Sequence, residues 1–394
     1  MLWQHYVFRR AGEVYPTWEM MFDRRKTRVL YIAGWGFDIR TQTVMREFVR
    51  SLQESSANVE HAELLLIEFR GYRLDDALQE QTRSNGEALK DIFKGLGEQQ
   101  TTVAFGSSGA EDDISAVIAM RQGVEEVQKH LEGMTDIVLD VSSLPRVIYL
   151  SILTGILSVL VPNKDAPNAL YANGVTFQVL VAEDPALDGK IQSEDPSNDL
   201  IYVPGFSAAL QAESYQDWPL VWFPVLGEGK VSQLQKVMNQ VIPVNAEICP
   251  VLPHPSRDAR RADRLLIQYK EPLFDARETP TGNILLAHEG HPFEAYRQLF
   301  GAMIRYRKSM SIMGGCRLVV TPLASKLITI GAGLACFEMQ PSDVSADYRV
   351  AIPYAEPTRY IASPDDLKQS KPEIAALVLT GHAYDESADS SSAG

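Results

Sequence analysis

Short apolar runs alternate with stretches of helical period along most of this chain. Arg28–Ala33 (RVLYIA) is a continuous apolar run of strand length. Thr41–Leu52 then places Val44, Met45, Phe48, Val49 and Leu52 at the spacing of one helix face. The alternation continues. Strands are predicted over Leu64–Phe69, Thr102–Phe105, Asp136–Val141 and Val175–Ala182, separated by helices over 79–95, Asp113–Leu131 and Leu144–Val161. Strands that are apolar at consecutive positions, set between helices, imply a parallel sheet covered on both faces.

Residues 183–199 (EDPALDGKIQSEDPSND) interrupt this pattern with six acidic residues against one lysine, two prolines and no apolar period, and are read as a linker. The alternation then restarts. Strands are predicted over Leu220–Val225, Arg264–Tyr269, Asn283–Ala287, Arg317–Thr321 and Tyr348–Pro353, with helices over Ser232–Val241, Phe293–Lys308 and Ser325–Glu338. The last stretch, DESADSSSAG, is acidic and rich in small residues, so a disordered tail is expected over 385–394.

The halves repeat one plan. Strand IVLDV leads through Ser142-Ser143-Leu144-Pro145-Arg146 into the apolar helix VIYLSILTGILSVL, and strand RLVVT leads through Pro322-Leu323-Ala324-Ser325-Lys326 into LITIGAGLACFEM. Gly34-Trp35-Gly36 follows the first strand of one half, and Gly227-Glu228-Gly229 that of the other. The expected fold class is α/β, with two tandem Rossmann-like domains of mainly parallel sheet: 1–182, the 183–199 linker, and 200–384.

Charge and cysteine content narrow the functional classes. The formal net charge of −14 does not suggest a nucleic-acid-coating surface, although Arg24, Arg25, Lys26 and Arg28 form a local cluster. Cys249, Cys316 and Cys336 are too few and too far apart for a disulfide framework or a thiolate zinc site, which suits a reducing, cytoplasmic setting. The first residues lack a charged region followed by an apolar run, so no signal peptide is expected. The most apolar stretch, Val147–Val161, is shorter than the roughly 20 residues of a membrane span and is read as a buried crossover helix.

Candidate ligand groups fall in the loops after strands. Gly34 and Gly36 would let backbone amides approach a ligand at a helix start; Asp38 lies in the same loop, and Arg40 adds a planar donor fork. A dinucleotide fingerprint would need glycine where Ile39 stands, and no phosphate-binding P-loop occurs, so no cofactor is expected. Glu68 ends the second strand, where it could meet a ribose hydroxyl, and Ser107 lies in the Gly-Ser-Ser-Gly loop after the third. Asp140 closes the fourth strand. Ser142 and Ser143 can cap the next helix or bind ligand oxygens. Arg146 stands in a first helical turn, where the dipole disfavours a cation and an anion beside it is implied; Ser325 and Lys326 repeat the placement. His288-Glu289-Gly290-His291 lacks the spacing of a metal-binding helix, so no metal is expected, and no catalytic pair can be assigned.

With small hydroxylated residues and a cation at the fourth-strand turn (Ser142, Ser143 and Arg146; Ser325 and Lys326), together with the Gly34 to Arg40 loop, the duplicated unit resembles the CRISPR-associated Rossmann fold (CARF) and the related two-unit SAVED architecture. The turns read Ser-Ser-Leu-Pro-Arg and Leu-Ala-Ser-Lys in place of the T-G-G-T-K type found in some CARF proteins. The resemblance implies a sensor of nucleotide-type signals in antiviral defence. It would hold an anionic ligand beyond the strand carboxyl ends and act through a protein effector. An enzyme acting on a nucleotide or nucleoside, and a scaffold subunit without a small-molecule site, are the alternatives.

Overall fold

The computed structural model describes residues 1–106, 116–188, 190–343 and 345–385. The chain divides into two compact units, Met1–Ser193 with Arg359–Gly394, and Glu194–Thr358.

The first unit is built on a seven-stranded sheet. Its parallel strands, in chain order, are Lys26–Gly34, Asn58–Phe69, Gln99–Phe105, Asp136–Asp140 and Thr176–Glu183. They lie side by side in the order 3-2-1-4-5, with the strand order reversing between the first and the fourth. Glu373–Thr380 then pairs antiparallel with the fifth strand, and Val7–Arg10 pairs antiparallel with Glu373–Thr380 at the edge. Helix Arg40–Glu54 buries Val44, Met45, Phe48, Val49 and Leu52, the face its sequence period predicts. Phe48 stands at the centre of an aromatic group: its ring lies 5.4 Å from Trp18, 5.9 Å from Phe22 and 5.3 Å from Tyr31.

The second unit repeats the order within a six-stranded parallel sheet: Leu220–Val225, then Glu247–Ile248 and Val251–Pro253 on one side, Leu285–Ala287 beyond them, and Cys316–Pro322 and Tyr348–Ala351 on the other side. Glu247–Ile248 and Val251–Pro253 both pair with Leu220–Val225 and act as one second strand broken at Cys249-Pro250. Each unit therefore has the predicted doubly wound, mainly parallel architecture.

Helices Arg146–Leu160 and Lys326–Met339 are buried along most of their length. In the first, Ser151 and Thr154 donate to the backbone oxygens of Val147 and Leu150, so their hydroxyls stay satisfied inside the core. Among the described residues no helix is long and apolar enough to cross a membrane.

Several features differ from the sequence reading. Arg264–Tyr269, expected as a strand, lies in helix Arg261–Gln268 and its C-terminal end. Leu265 and Tyr269 are buried on one helix face while Ile267, which a strand would place on the same face as both, is exposed; the apolar residues at 265, 267 and 269 suggest a strand from sequence, and the burial shows the helix. The second strand of this unit was missed because Pro250, Pro253 and Pro255 crowd it. The domain boundary also differs. The second unit ends at Thr358, and the residues after it return to the first sheet. The acidic segment is structured at both ends, as Glu183 closes a strand and Gln192–Pro196 forms another. All of the expected tail except Asp385 lies outside the described residues.

This topology makes the first unit dependent on the chain's end. A fragment ending at residue 199 would lack Glu373–Thr380, leaving Thr176–Glu183 as a bare edge and Val7–Arg10 without a partner. Such a fragment is expected to show no cooperative thermal transition by circular dichroism, and co-expression with residues 359–385 is expected to restore one. A sharp transition in the fragment alone would contradict the assignment.

Candidate functional site

In an open parallel sheet, ligands collect beyond the strand carboxyl ends where the strand order reverses. In the first unit that point lies between Lys26–Gly34 and Asp136–Asp140. Asp140 is fully buried there. Its Oδ2 accepts from the Tyr31 hydroxyl at 3.1 Å and the Thr41 hydroxyl at 2.6 Å, and its Oδ1 accepts from the Ser142 amide at 2.9 Å. Burial pushes its pKa above the ordinary carboxyl value, and the hydrogen bonds from Ser142, Thr41 and Tyr31 oppose that rise.

The flanking loops are packed against each other. The Ser143 hydroxyl donates to the Gly34 carbonyl at 2.8 Å, and Ser142 Oγ accepts from the Ala182 amide at 2.9 Å. A Cβ on Gly34 would come within 2.7 Å of Ser143 Oγ, and one on Gly36 within 3.0 Å of the Ser143 carbonyl oxygen. These glycines serve loop-on-loop packing. Asn85 Nδ2 donates to the Gly36 carbonyl at 2.7 Å and fixes the loop from the other side.

Arg40 is almost wholly buried and is held by carboxylates. Its Nε and Nη2 donate to Asp38 at 3.0 and 2.6 Å, and its Nη1 donates to Asp188 at 2.7 Å. Burial works against the charge, but the two carboxylates outweigh it and raise the pKa. Asp38 and Arg40 therefore form an internal clamp tying the loop to the segment after the fifth strand.

The second unit has the same close approach. A Cβ on Gly227 would fall 2.1 Å from the Leu323 carbonyl oxygen, and the Tyr269 hydroxyl donates to the Gly227 carbonyl at 2.6 Å. Arg146 and Lys326 are each the first residue of their helix, as the repeat predicts. Ser325 precedes Lys326 without a capping bond, and its buried hydroxyl has no hydrogen-bond partner among the described residues. Ser107 lies outside the described residues.

Among the described residues an open cleft of about 360 Å³ lies one strand away, lined by Trp35, Glu68, Phe69, Tyr72, Arg73, Leu74, Gln79 and Thr82. Of the candidates read from sequence, Glu68 alone is among these residues. The cleft's volume is that of a small-molecule site. The Trp35 indole donates to the Thr82 carbonyl at 3.1 Å, and Lys90 Nζ stands 4.5 Å from the centre of its ring. Phe69 lies 5.2 Å from Tyr72, and Tyr72 packs edge-on against Tyr360 at 5.0 Å. Arg73 forms a β-bridge with Arg359. One wall is thus aromatic and braced by the segment that returns from the second unit. Sequence reading missed Tyr72 and Arg73 because they stand in an irregular loop with no apolar period; the aromatic spacing Phe69, Tyr72 was the available signal.

Other candidate chemistry is committed to the fold. His291 Nδ1 accepts from the Glu294 amide and caps its helix, and His288 Nδ1 accepts from the Gly290 amide. Among the described residues no group of His, Cys, Asp and Glu could hold a metal. The three thiols are free and buried. Desolvation pushes Cys249 up to about 11 and Cys316 up to about 12, which keeps both protonated at neutral pH.

The structure defines a protein of two Rossmann-like α/β units with an aromatic cleft at the strand carboxyl ends of the first. No family model matches the chain, and no curated protein matches it. Two solved structures from Pseudomonas aeruginosa are similar. One is a candidate universal stress protein of strain UCBPP-PA14, with 10% identity, a TM-score of 0.23, and coverage of 87% of this chain and 95% of that one. The other is a protein of unknown function of strain PAO1, with 11% identity, a TM-score of 0.22, and coverage of 89% and 96%. At these scores neither likeness assigns a family or an activity to this chain.

Asp140 offers a test of the closed crevice. Asp140→Ala leaves the three donors facing it unpaired and is expected to cost about 3 kcal/mol of unfolding free energy. Asp140→Asn can satisfy them by hydroxyl rotation and should cost about 1 kcal/mol. Because the folded-state pKa is raised, the wild type carries an ionisation penalty at neutral pH. That penalty is relieved as the pH falls through the folded pKa toward the ordinary value of 3.8. Wild type is therefore expected to gain on Asp140→Asn as the pH is lowered, measured by urea unfolding. A gap that shrinks on acidification would contradict the assignment.

Proposed function

We propose that this chain is a binding protein for a nucleotide-type ligand, with the ligand held in the aromatic cleft of the first unit. The observation that carries this reading is the convergence of Trp35, Phe69 and Tyr72 with Arg73 and Glu68 around one small-molecule-sized space. Aromatic faces stack nucleobases at about 1–3 kcal/mol each. A guanidinium at the rim suits a phosphate, and a carboxylate suits base or ribose donors.

Binding is favoured over catalysis by what the lining residues lack. Thr82 donates to its own helix at the Leu78 carbonyl, Asp140 is enclosed in the core, and the thiols are buried. No activated nucleophile stands in the lining set. The duplicated strand order and the cation opening each fourth-strand helix support the sensor reading drawn from the likeness to CARF and SAVED proteins. A role in antiviral defence, with a protein effector receiving the signal, is the finer part of the same proposal. It rests on that resemblance alone.

Calorimetry against mononucleotides and cyclic oligonucleotides tests it. A ligand held in the cleft is expected to lose about 10-fold or more in affinity in Tyr72→Ala. Arg146→Ala and Lys326→Ala, at the two fourth-strand turns, are expected to change affinity less. Loss in Arg146→Ala with none in Tyr72→Ala would move the ligand to the turn, and the absence of any nucleotide binding would end the proposal.

A further inference from the structure

We propose that the base taken by the cleft is guanine, an inference that rests on the nucleotide reading above. Glu68 lines the cleft beside the aromatic residues. Arg70 holds it through Nε at 2.9 Å and Nη2 at 2.6 Å, and both bonds fall on Oε2. Oε1 accepts no hydrogen bond among the described residues, and 39% of the side chain stays exposed. The aromatic wall is thus completed by a carboxylate oriented by its neighbour and retaining acceptor capacity.

An ionised carboxylate only accepts. Along its pairing edge guanine alone places two donors side by side, the ring N1–H and the exocyclic amine. Adenine and cytosine each set a ring-nitrogen lone pair beside their amine, which would face the carboxylate with like charge density. Uracil flanks its single N–H with two carbonyl oxygens. Stacking on Tyr72 and Phe69 holds any base. Glu68 supplies the selection.

The test is calorimetry of GMP, IMP and AMP with the full chain, its Glu68→Gln variant and Tyr72→Ala. Glutamine keeps the size of the side chain but presents one donor and one acceptor, the pattern that suits adenine. Wild type is expected to bind GMP about 10-fold or more tightly than AMP, with IMP, which lacks the exocyclic amine, in between. Glu68→Gln is expected to remove most of that preference while its thermal midpoint stays near that of wild type. Equal affinity for GMP and AMP in wild type, or an unchanged ratio in Glu68→Gln, would overturn the guanine assignment. If such binding is still lost in Tyr72→Ala, the nucleotide reading survives without it. No binding of any of the three nucleotides to wild type would overturn the guanine assignment along with the mononucleotide reading.

Discussion

The first unit is organised around one buried carboxylate. Asp140 draws a hydroxyl from the first strand, a hydroxyl from the first helix and an amide from the turn that starts the next crossover. An unpaired carboxylate in that place would be costly, so the donors and the acid must be placed together. Once they are, the loops after the first and fourth strands are drawn close enough for Ser143 to bond to Gly34. The second unit meets the same geometric demand with neutral groups. Tyr31 lies two residues before Ala33, the register partner of Asp140, and Trp222 lies two before Pro224, the register partner of Thr321. There the Trp222 indole donates to the Thr321 hydroxyl at 2.9 Å. Gly36 and Gly227 each follow three residues after those partners, and each sits against a carbonyl oxygen of the fourth-strand turn. The repeat is therefore one of polar placement as well as strand order.

This packing decides where a ligand can go. The place at which doubly wound sheets usually open is filled by the protein's own backbone in both units. In the first unit an opening lies at the neighbouring strand, where Trp35 and the strand-end residues Glu68 and Phe69 are among its lining. In the second unit the corresponding loops carry charge. Arg261 and Arg264 both contact Glu228 after the first strand, and Arg261 also pairs with Glu289 after the third. Two copies of one scaffold thus present unlike chemistry at equivalent positions, aromatic in one and ionic in the other.

Most of the architecture was legible because it is written in local periodicity. Val44 through Leu52 reads as a helix face and is one, and the largely apolar Val147–Val161 reads as a buried helix and lies almost wholly within the mostly buried helix Arg146–Leu160. What periodicity cannot carry is pairing at long range. The EIAALVLT run of the last strand shows no sign that it joins the first sheet in place of the second. The site was less legible than the fold. Glycine, serine and arginine at strand ends are suited to ligands and equally suited to closing loops, and composition does not separate the two uses. Gly34, Gly36, Asp38, Arg40, Ser142 and Ser143 have their described contacts within the protein, while Tyr72 and Arg73 had no pattern to announce them.

The cleft also shows why the interrupted chain order matters. Its aromatic wall ends on Tyr360, which packs against both Tyr72 and Phe37, and the loop is pinned where Arg73 bridges Arg359. Arg359 is the first residue of the returning segment. The cleft is therefore completed only after the chain has passed through a whole intervening unit. Closing so long a loop costs entropy only logarithmically in its length, and a unit that folds by itself shortens the effective span. The larger consequence is one of dependence. A displacement of the returning segment would move Tyr360 away from Tyr72 and break the Arg73 bridge, so the shape of the cleft and the placement of residues 359–361 are one variable.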